Sequence, residues 1–324
     1  MLLEQQTGAL RRRWMLLPEW SRVLVVVVAG LALGIGLAGL PPFIMPVYQV
    51  FTGETICPPA RALSARYDQE QLDGLVSKLI PKIRVLDHDN RFDIERIYTP
   101  EREFWLERPG KGGSGRDLIG FLLAEHVWMS QNNPRNMVRQ GDVVIDCGAH
   151  VGIFTHMALK AGASAVVAVE PASANLECLR RNFAQEIVAG RVVVIPKGVW
   201  SHETTLRLSI SVVNSARDSV VASDGASSVE IPVTTIDAIV ESLGRKRVDY
   251  VKMDIEGAER EALAGAQRTL AAFRPRLMLA AYHLPDDSQV LPALIRKAYG
   301  GDTMTCGPCG FQRGKLVPNV VYFE

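Results

Sequence analysis

The segment between Asp142 and Pro171 constrains the fold of this chain most. Residues 142–155 read Asp-Val-Val-Ile-Asp-Cys-Gly-Ala-His-Val-Gly-Ile-Phe-Thr, and residues 165–171 read Ala-Val-Val-Ala-Val-Glu-Pro. A continuous Val/Ile run is typical of a parallel strand that is buried on both faces. Glycines between a strand and a helix let a ligand approach the backbone where a side chain would block it. The segment therefore predicts half of a nucleotide-binding α/β fold.

The spacing of the glycine turn narrows the kind of ligand. A dinucleotide site normally carries G-x-G-x-x-G, so that the pyrophosphate meets amide donors at the helix N-terminus. Here the pattern is Asp146-x-Gly148-x-x-x-Gly152, with His150 in place of the middle glycine. A carboxylate at Asp146, at the mouth of the turn, repels pyrophosphate but suits the ammonium and sulfonium groups of S-adenosylmethionine. The alternative is an ordinary α/β crossover whose glycines only pack the helix.

Carboxylates follow two of the predicted strands. Glu170 ends the strand after the turn and is placed to accept both ribose hydroxyls of an adenosine. Asp254 follows the strand of a second block, Val248–Leu263, and the carboxyl ends of parallel strands share one rim of the sheet. Since unpaired buried charges are costly, these groups are expected to face a cleft. The alternative is an acidic helix N-terminus favoured by the macrodipole, which explains Glu256 and Glu259 better than Asp254.

These two blocks, in this order, resemble the FkbM-type methyltransferase family, a branch of the S-adenosylmethionine-dependent class I fold. The resemblance covers roughly residues 117–324. It is carried by the segments Asp142–Thr155, Ala165–Pro171, Val194–Ser201, Val233–Asp237, Val248–Glu259 and Arg276–Asp286. One departure is His150, where asparagine is commoner in the family, although a histidine can still donate to the methionine moiety.

The resemblance implies a fold, a cosubstrate and a class of acceptor. The fold is α/β, a class I methyltransferase (Rossmann-like) arrangement with a mostly parallel sheet, helices on both faces and a C-terminal antiparallel hairpin. S-adenosylmethionine would be bound by Asp146, Gly148, Ala149, His150, Gly152, Glu170 and Gly198. The family mostly methylates hydroxyl oxygens, so the expected partner is a small-molecule, glycan or lipid acceptor. Two alternatives stay open: a non-catalytic module that keeps the fold, and a nicotinamide-dependent oxidoreductase, which the glycine pattern disfavours.

Methyl transfer to oxygen calls for a base near the transferred methyl group, since the thioether leaves without assistance. Asp254 on the strand-end rim and His283 after the following strand are the candidates, and histidine has a suitable ordinary pKa. Lys252 is a third candidate and is expected to pair with Asp254 or Glu256. No dedicated metal site is predicted, although the spacing of Asp254, Glu256 and Glu259 permits a divalent ion.

Composition disfavours a nucleic-acid partner. The 324 residues include 36 Lys and Arg against 35 Asp and Glu, a net charge of +1, and the basic residues form no sustained stripe. With 48% hydrophobic residues, the chain can bury one large α/β core and still carry an N-terminal extension.

The cysteines favour a reducing compartment. Their number, 5, is odd and their spacings form no regular framework. Cys306-Gly-Pro-Cys309 spells a redox motif, but no helix is predicted after it to acidify the first thiol. We expect a turn with two incidental thiols, and a facultative disulfide or metal site is the main alternative.

An uncharged apolar run, Val23–Leu40, predicts a membrane anchor. As a helix it is about 27 Å long, close to the thickness of a hydrocarbon core. A cleaved signal peptide and a buried core helix are the alternatives. The preceding arginines favour a cytoplasmic N-terminus, whereas Pro41-Pro42 breaks the helix before the short apolar run Phe43–Phe51. We therefore expect Val23–Phe51 to dip into the membrane and return, leaving the catalytic domain cytosolic.

Four regions follow from these patterns: a basic tail at residues 1–22, a membrane segment at 23–51, an adaptor and linker at 52–116, and the methyltransferase domain at 117–324. The adaptor is expected to hold a helix from Asp68 to Ile80 that Pro81 ends. Within the domain, alternating strands and helices predict a parallel sheet with right-handed crossovers. The predicted elements are Asp117–Gln131, Val143–Asp146, Ile153–Lys160, Ala165–Glu170, Ser173–Glu186, Val192–Pro196, a β-pair at Thr204–Ile210 and Ser227–Val233, and the helix Thr235–Leu243.

Overall fold

The computed structural model describes residues 49–50, 52, 55–108, 114–211, 215–221, 227–299, 304–312 and 314–324. Ile56–Glu324 forms one compact unit, and Met1–Thr55 forms another, of which only a few residues are described. The predicted membrane run Val23–Leu40 lies outside the described residues. Among the residues that are described, no helix is both long enough and apolar enough to cross a membrane.

The larger unit contains both strands and helices, which largely alternate along the chain. Its strands are β1 (Arg84–Asp89), β2 (Ile94–Tyr98), β3 (Glu103–Glu107), β4 (Val143–Cys147), β5 (Ala165–Val169), β6 (Val192–Ile195), β7 (Gly198–Val199), β8 (Thr204–Ile210), β9 (Ser227–Thr234), β10 (Tyr250–Met253), β11 (Arg276–Ala280), β12 (Met304–Cys306), β13 (Cys309–Gln312), β14 (Lys315–Pro318) and β15 (Val320–Phe323). Its helices are α1 (Pro59–Leu79), α2 (Gly115–Asn132), α3 (Ile153–Lys160), α4 (Ser173–Asn182), α5 (Ala184–Val188), α6 (Ile236–Ser242), α7 (Glu259–Ala264), α8 (Gln267–Phe273) and α9 (Asp287–Tyr299).

In the described part of the chain, seven strands form the central sheet, in the order β12-β15-β11-β10-β4-β5-β6. The strands from β11 to β6 pair in parallel, whereas β15 runs antiparallel to both β11 and β12. This arrangement confirms the predicted mostly parallel α/β sheet. Because parallel strands end at the same edge, the segments after β4, β5 and β10 meet there.

The sheet is buried on both faces because its central strands are apolar at most positions. Successive side chains of a strand point to opposite faces, so Ile145 packs with one layer of helices and Val144 with the other. The first layer is built from α6, α7, α8 and α9, and the second from α1, α2 and α3. Helices therefore cover both faces, as the sequence predicts.

The predicted adaptor packs on the catalytic domain. Its helix, α1, begins at Pro59, nine residues before the expected start at Asp68, and ends just before Pro81 as predicted. The sequence did not predict the antiparallel sheet β1-β2-β3 that follows. The buried side chains of this sheet join those of α2 in one cluster, which includes Ile94, Ile97, Phe104, Leu106, Ile119 and Leu123.

A second small sheet, β7-β9-β8, stands beside the central one. Its antiparallel pair β8–β9 corresponds to the β-pair predicted at Thr204–Ile210 and Ser227–Val233. A short antiparallel hairpin, β13–β14, follows β12, and the chain then adds the edge-proximal strand β15.

A disulfide joins Cys57 to Cys309 across 252 residues of sequence. The expectation that Cys309 is an incidental thiol is therefore wrong. Cys306 is a buried free thiol whose Sγ donates to the carbonyl of Ile56 at 3.8 Å. The disulfide links the segment before α1 to β13, so the predicted adaptor is attached covalently to the C-terminal hairpin.

Oxidised protein should be more stable than reduced protein, because the bond limits the conformations of the unfolded chain. For so long a loop we expect about 2–5 kcal/mol of unfolding free energy. Urea unfolding with and without dithiothreitol measures the difference, and Cys57→Ala should make stability insensitive to the reductant. Peptide mapping that finds Cys306 joined to Cys309 would contradict the assignment.

Candidate functional site

A cleft with about 610 Å³ of empty space lies beyond the carboxyl ends of β4, β5 and β10. Its polar wall consists of Gly148, His150, Glu170, Lys197, Asp218, Asp254 and Glu256, and its apolar wall includes Val199, Leu208, Ile231 and Val233 from the sheet β7-β9-β8. The lining combines apolar side chains with a few polar groups, as sites for small molecules and cofactors do.

The turn after β4 allows a close approach of backbone to backbone. Gly148 has φ +73, and a Cβ there would overlap the carbonyl oxygen of Asp254. Gly152 has φ +92, and a Cβ there would overlap the ring of Phe183. Gly148 therefore shapes the cleft, whereas Gly152 permits the packing of α3 against its neighbour.

Replacing Gly148 with alanine should lower the unfolding free energy by more than the left-handed backbone conformation of this residue alone explains. Gly190 is a matched control, because its φ is +69 and no described atom lies within 4 Å of its Cβ position. Gly190→Ala should lower the unfolding free energy by about 1–2 kcal/mol. Gly148→Ala should lower it by about 2–5 kcal/mol, since overlap adds to the same conformational cost. Equal losses in denaturant unfolding would show that the approach to Asp254 is unimportant.

Glu170 lies at the edge of the cleft and is 5% exposed. Its Oε2 accepts from the backbone N–H of His150 at 2.8 Å, and its Oε1 accepts from Ala172 N and Asn175 Nδ2 at 2.9 and 3.3 Å. Burial raises the pKa of Glu170. A carboxylate oxygen accepts about two hydrogen bonds, so Oε2 retains capacity for one ligand hydroxyl. The carboxylate also connects the glycine turn to the end of β5.

The structure corrects the expected position of Asp146. This residue is fully buried and does not line the cleft, because the register of β4 and β10 places it opposite Lys252. Thr155 Oγ1 donates to Asp146 Oδ2 at 2.7 Å, and Lys252 Nζ lies 3.4 Å from Oδ1. Asp146 therefore holds the sheet together and is not a group at the mouth of the turn.

Lys252 pairs with Asp146, and not with Asp254 or Glu256 as expected. Its ammonium also donates to the carbonyls of Gly148 and Cys147 at 2.8 and 3.3 Å. Burial alone would lower the pKa of Lys252, but the Asp146 and Asp254 carboxylates raise it above its usual value. Because Lys252 stays charged and its ammonium points into the glycine turn, it holds the turn in position. It does not act as a base.

His150 lines the cleft in an unusual backbone conformation. Its φ is +52, a region that asparagine, aspartate and histidine enter more readily than most side chains. Burial, helped by the positive charge of Lys252, lowers the pKa of His150 to about 4. Its imidazole is therefore neutral near pH 7 and can offer one donor and one acceptor.

The two remaining residues predicted to bind the cosubstrate differ in position. Ala149 is buried beside His150 and does not line the cleft, whereas Gly198 does line it.

Three carboxylates surround His283. Its Nδ1 lies 3.0 Å from Glu259 Oε1, and its Nε2 lies 3.5 Å from both Asp254 Oδ1 and Glu256 Oε1. Burial alone would lower the pKa of His283, but Glu256 and Glu259 raise it to about 11. The expectation of a free histidine base with an ordinary pKa is therefore wrong. The side chain is 6% exposed and sits behind the two cleft-lining carboxylates.

Glu125 of α2 is a titratable group that the sequence reasoning missed. Burial, helped by the charge of Asp254, raises its pKa to about 8. The sequence contains an indication of this burial, because Glu125 lies three residues after Leu122 and three before Trp128, on the apolar side of the helix.

Comparisons with known proteins return one family model and several solved structures. Residues 146–300 match the family model of the methyltransferase FkbM domain. A search of curated proteins returns no match. Among solved structures, methyltransferase FkbM from Methylobacillus flagellatus KT is 16% identical, with a TM-score of 0.42 over 86% of this chain and 65% of that protein. This chain thus spans less than two thirds of that protein's length.

Two further solved structures show distant likeness. A SAM-dependent methyltransferase from Agrobacterium tumefaciens is 12% identical, with a TM-score of 0.40 over 74% of this chain and 70% of that one. The C-terminal domain of precorrin-6Y C5,15-methyltransferase from Rhodobacter capsulatus is 12% identical, with a TM-score of 0.33 over 66% of this chain and 90% of that one.

The order of the sheet, its antiparallel strand near one edge and a cleft at the glycine turn define a class I methyltransferase fold. Within that class, residues 146–300 are an FkbM methyltransferase domain. The chain therefore carries a methyltransferase domain of the FkbM family at residues 146–300, and this match gives no support to a nicotinamide-dependent enzyme.

Proposed function

We propose that this protein transfers a methyl group from S-adenosylmethionine to a hydroxyl oxygen of a small-molecule, glycan or lipid acceptor. The observation that carries the proposal is the cleft at the glycine turn, which Gly148 lines together with Glu170 at the end of the next strand. The family match supports methyl transfer. The choice of an oxygen acceptor is our inference.

The residues of the cleft fit the cosubstrate. Gly148 lets the glycine turn approach the carbonyl of Asp254 closely, which brings the turn and the rim after β10 together at the cleft where the methionine part would lie. Glu170 Oε2 can accept from one ribose hydroxyl, whereas the sequence predicted that Glu170 accepts from both. The neutral imidazole of His150 can bond to the methionine moiety, and the apolar wall suits the adenine ring. When bound, the cosubstrate supplies an electrophilic methyl group on a sulfonium.

The acceptor would enter beside Asp254 and Glu256, the two carboxylates on the rim after β10. Asp254 is 43% exposed and Glu256 is 25% exposed, so both can reach a bound hydroxyl. Asp254 is the more exposed of the two and is better placed than Lys252 to receive a proton there, because Lys252 is engaged with Asp146.

Removing the Glu170 carboxylate should weaken cosubstrate binding. Charged hydrogen bonds contribute about 1.5–3 kcal/mol each, so Glu170→Ala should raise the Kd for S-adenosylmethionine roughly ten- to a hundredfold. Calorimetry on purified protein measures this change. The matched control is Glu230→Ala, because Glu230 is an exposed carboxylate on β9.

Glu170 also accepts backbone hydrogen bonds, so thermal unfolding must show that the variant is folded. Glu170→Gln, which keeps the size of the side chain, provides a second comparison. Unchanged affinity in both folded variants would remove Glu170 from the site. Labelled S-adenosylmethionine with a small-molecule and lipid extract tests turnover, and a protein that binds it without transferring label would be a non-catalytic module.

We further propose that the segment Val23–Phe51 tethers the protein to a membrane and returns to the side of the preceding arginines. The enzyme would then face the cytosol, where its cosubstrate is made. This proposal rests on the uncharged run Val23–Leu40, on the flanking arginines and on the helix-breaking Pro41-Pro42.

Cysteines introduced at Gln5 and Ala60 should therefore label from the same side of sealed vesicles. Labelling from opposite sides would contradict the returning segment. The state of Cys57 and Cys309 is a second readout, because disulfides persist in oxidising compartments and are rare in the cytosol. The structure shows the Cys57–Cys309 disulfide, which counts against the reducing compartment expected from sequence, so finding this bond in freshly lysed and alkylated cells would contradict a cytosolic domain.

A further inference from the structure

We propose that Asp254, Glu256 and His283 bind a divalent first-row transition-metal ion at the acceptor side of the cleft. The proposed role of that ion, to hold the acceptor hydroxyl, rests on the function proposed above. The metal site itself does not depend on that function and can be tested without cosubstrate.

The ligand atoms are already gathered. One atom from each of the three side chains lies within 4.8 Å of the others. His283 Nε2 lies 3.5 Å from Asp254 Oδ1 and 3.5 Å from Glu256 Oε1. Two atoms that bind one ion at about 2.1 Å are about 3–3.5 Å apart. The spacing therefore fits an ion held between the imidazole and the two carboxylates.

The orientation of His283 is a second, independent observation. Its Nδ1 is 3.0 Å from Glu259 Oε1, and Glu259 is fully buried. Glu259 is itself fixed, because it accepts from Ile255 N at 2.9 Å and Gly257 N at 3.1 Å. Metal-binding histidines almost always donate their other ring N–H to such a partner. In this network Nδ1 keeps its proton and donates it in a hydrogen bond to Glu259, which turns Nε2 toward the rim.

The Nε2 atom is buried and has no hydrogen-bond partner among the described residues. Its contacts of 3.5 Å are longer than the 2.7–3.2 Å of ordinary hydrogen bonds to oxygen. A buried polar atom normally has a partner. The ion supplies that partner, and the competing arrangement is an imidazolium that carries a proton on Nε2.

The donor set indicates the class of ion. Magnesium and calcium prefer oxygen ligands throughout, whereas an imidazole with two carboxylates suits manganese, iron, cobalt or zinc. Since Asp254 and Glu256 line the cleft and His283 lies behind them, the open positions of the ion would face the acceptor.

In that position the ion would act on the acceptor hydroxyl as a Lewis acid and lower its pKa. With Asp254 engaged by the ion, the hydroxyl proton passes to solvent water. The oxygen lone pair forms the new O–C bond to the methyl group, and the electron pair of the broken S–C bond remains on sulfur as a neutral thioether. No oxidant or reductant is required.

Manganese(II) is the probe for the test. The full-length protein, stripped with EDTA and dialysed, is titrated with Mn²⁺, and free ion is followed by electron paramagnetic resonance. We expect one ion per chain. Glu256→Gln should raise the Kd for Mn²⁺ at least tenfold and Glu259→Gln about 10–100-fold, while Glu230→Gln should leave it unchanged. Calorimetry with Zn²⁺ repeats the comparison.

No binding of either ion by wild-type protein would overturn the site. Binding that Glu256→Gln and His283→Ala, both shown to be folded, leave unchanged would also overturn it. Cosubstrate binding is measured separately in EDTA. Metal binding without any affinity for S-adenosylmethionine would leave the metal site standing and remove the proposed function. Cosubstrate binding without metal binding would remove the metal site and leave the proposed function standing.

Discussion

The buried ion pair between Asp146 and Lys252 is the interaction on which the site depends. Two charges in a protein interior are costly unless good geometry and further hydrogen bonds compensate for lost water. Here Thr155 donates to the carboxylate, and the ammonium donates to the carbonyls of Cys147 and Gly148. The pair therefore joins β4 to β10 and also fixes the glycine turn. Removing either partner would leave a buried charge directly beneath the cleft.

The fold could be predicted largely because its central strands are apolar and end in glycines or carboxylates. The helix Ile153–Lys160 has the predicted bounds, and the pair β8–β9 lies where the sequence analysis predicted a β-pair. The sheet β1-β2-β3 could not be found in this way. Its first strand is exposed at most positions and rich in charged residues, so it resembles a loop in sequence. Its backbone ladders and its packing against α2 and α4 stabilise it as a sheet.

The site was harder to predict than the fold because it depends on register and on distant contacts. The sequence identified Asp146 and Lys252, but which faces they share follows from pairing two strands that are far apart in the chain. His283 looked like a free base, but the carboxylates that raise its pKa, Glu256 and Glu259, lie in the loop after β10 and at the start of α7. Glu170 lines the cleft, but its hydrogen bonds to the turn depend on how His150 is folded.

The disulfide between Cys57 and Cys309 closes almost the whole compact unit into a covalent ring. A single cut of the backbone anywhere inside the ring would open it into a linear molecule without separating the pieces. Cleavage in the loop between β8 and β9, for example, would leave both halves of the domain attached through sulfur. Proteolysis would thus become visible by mass only after reduction, and the nicked protein would keep its two halves at high effective concentration.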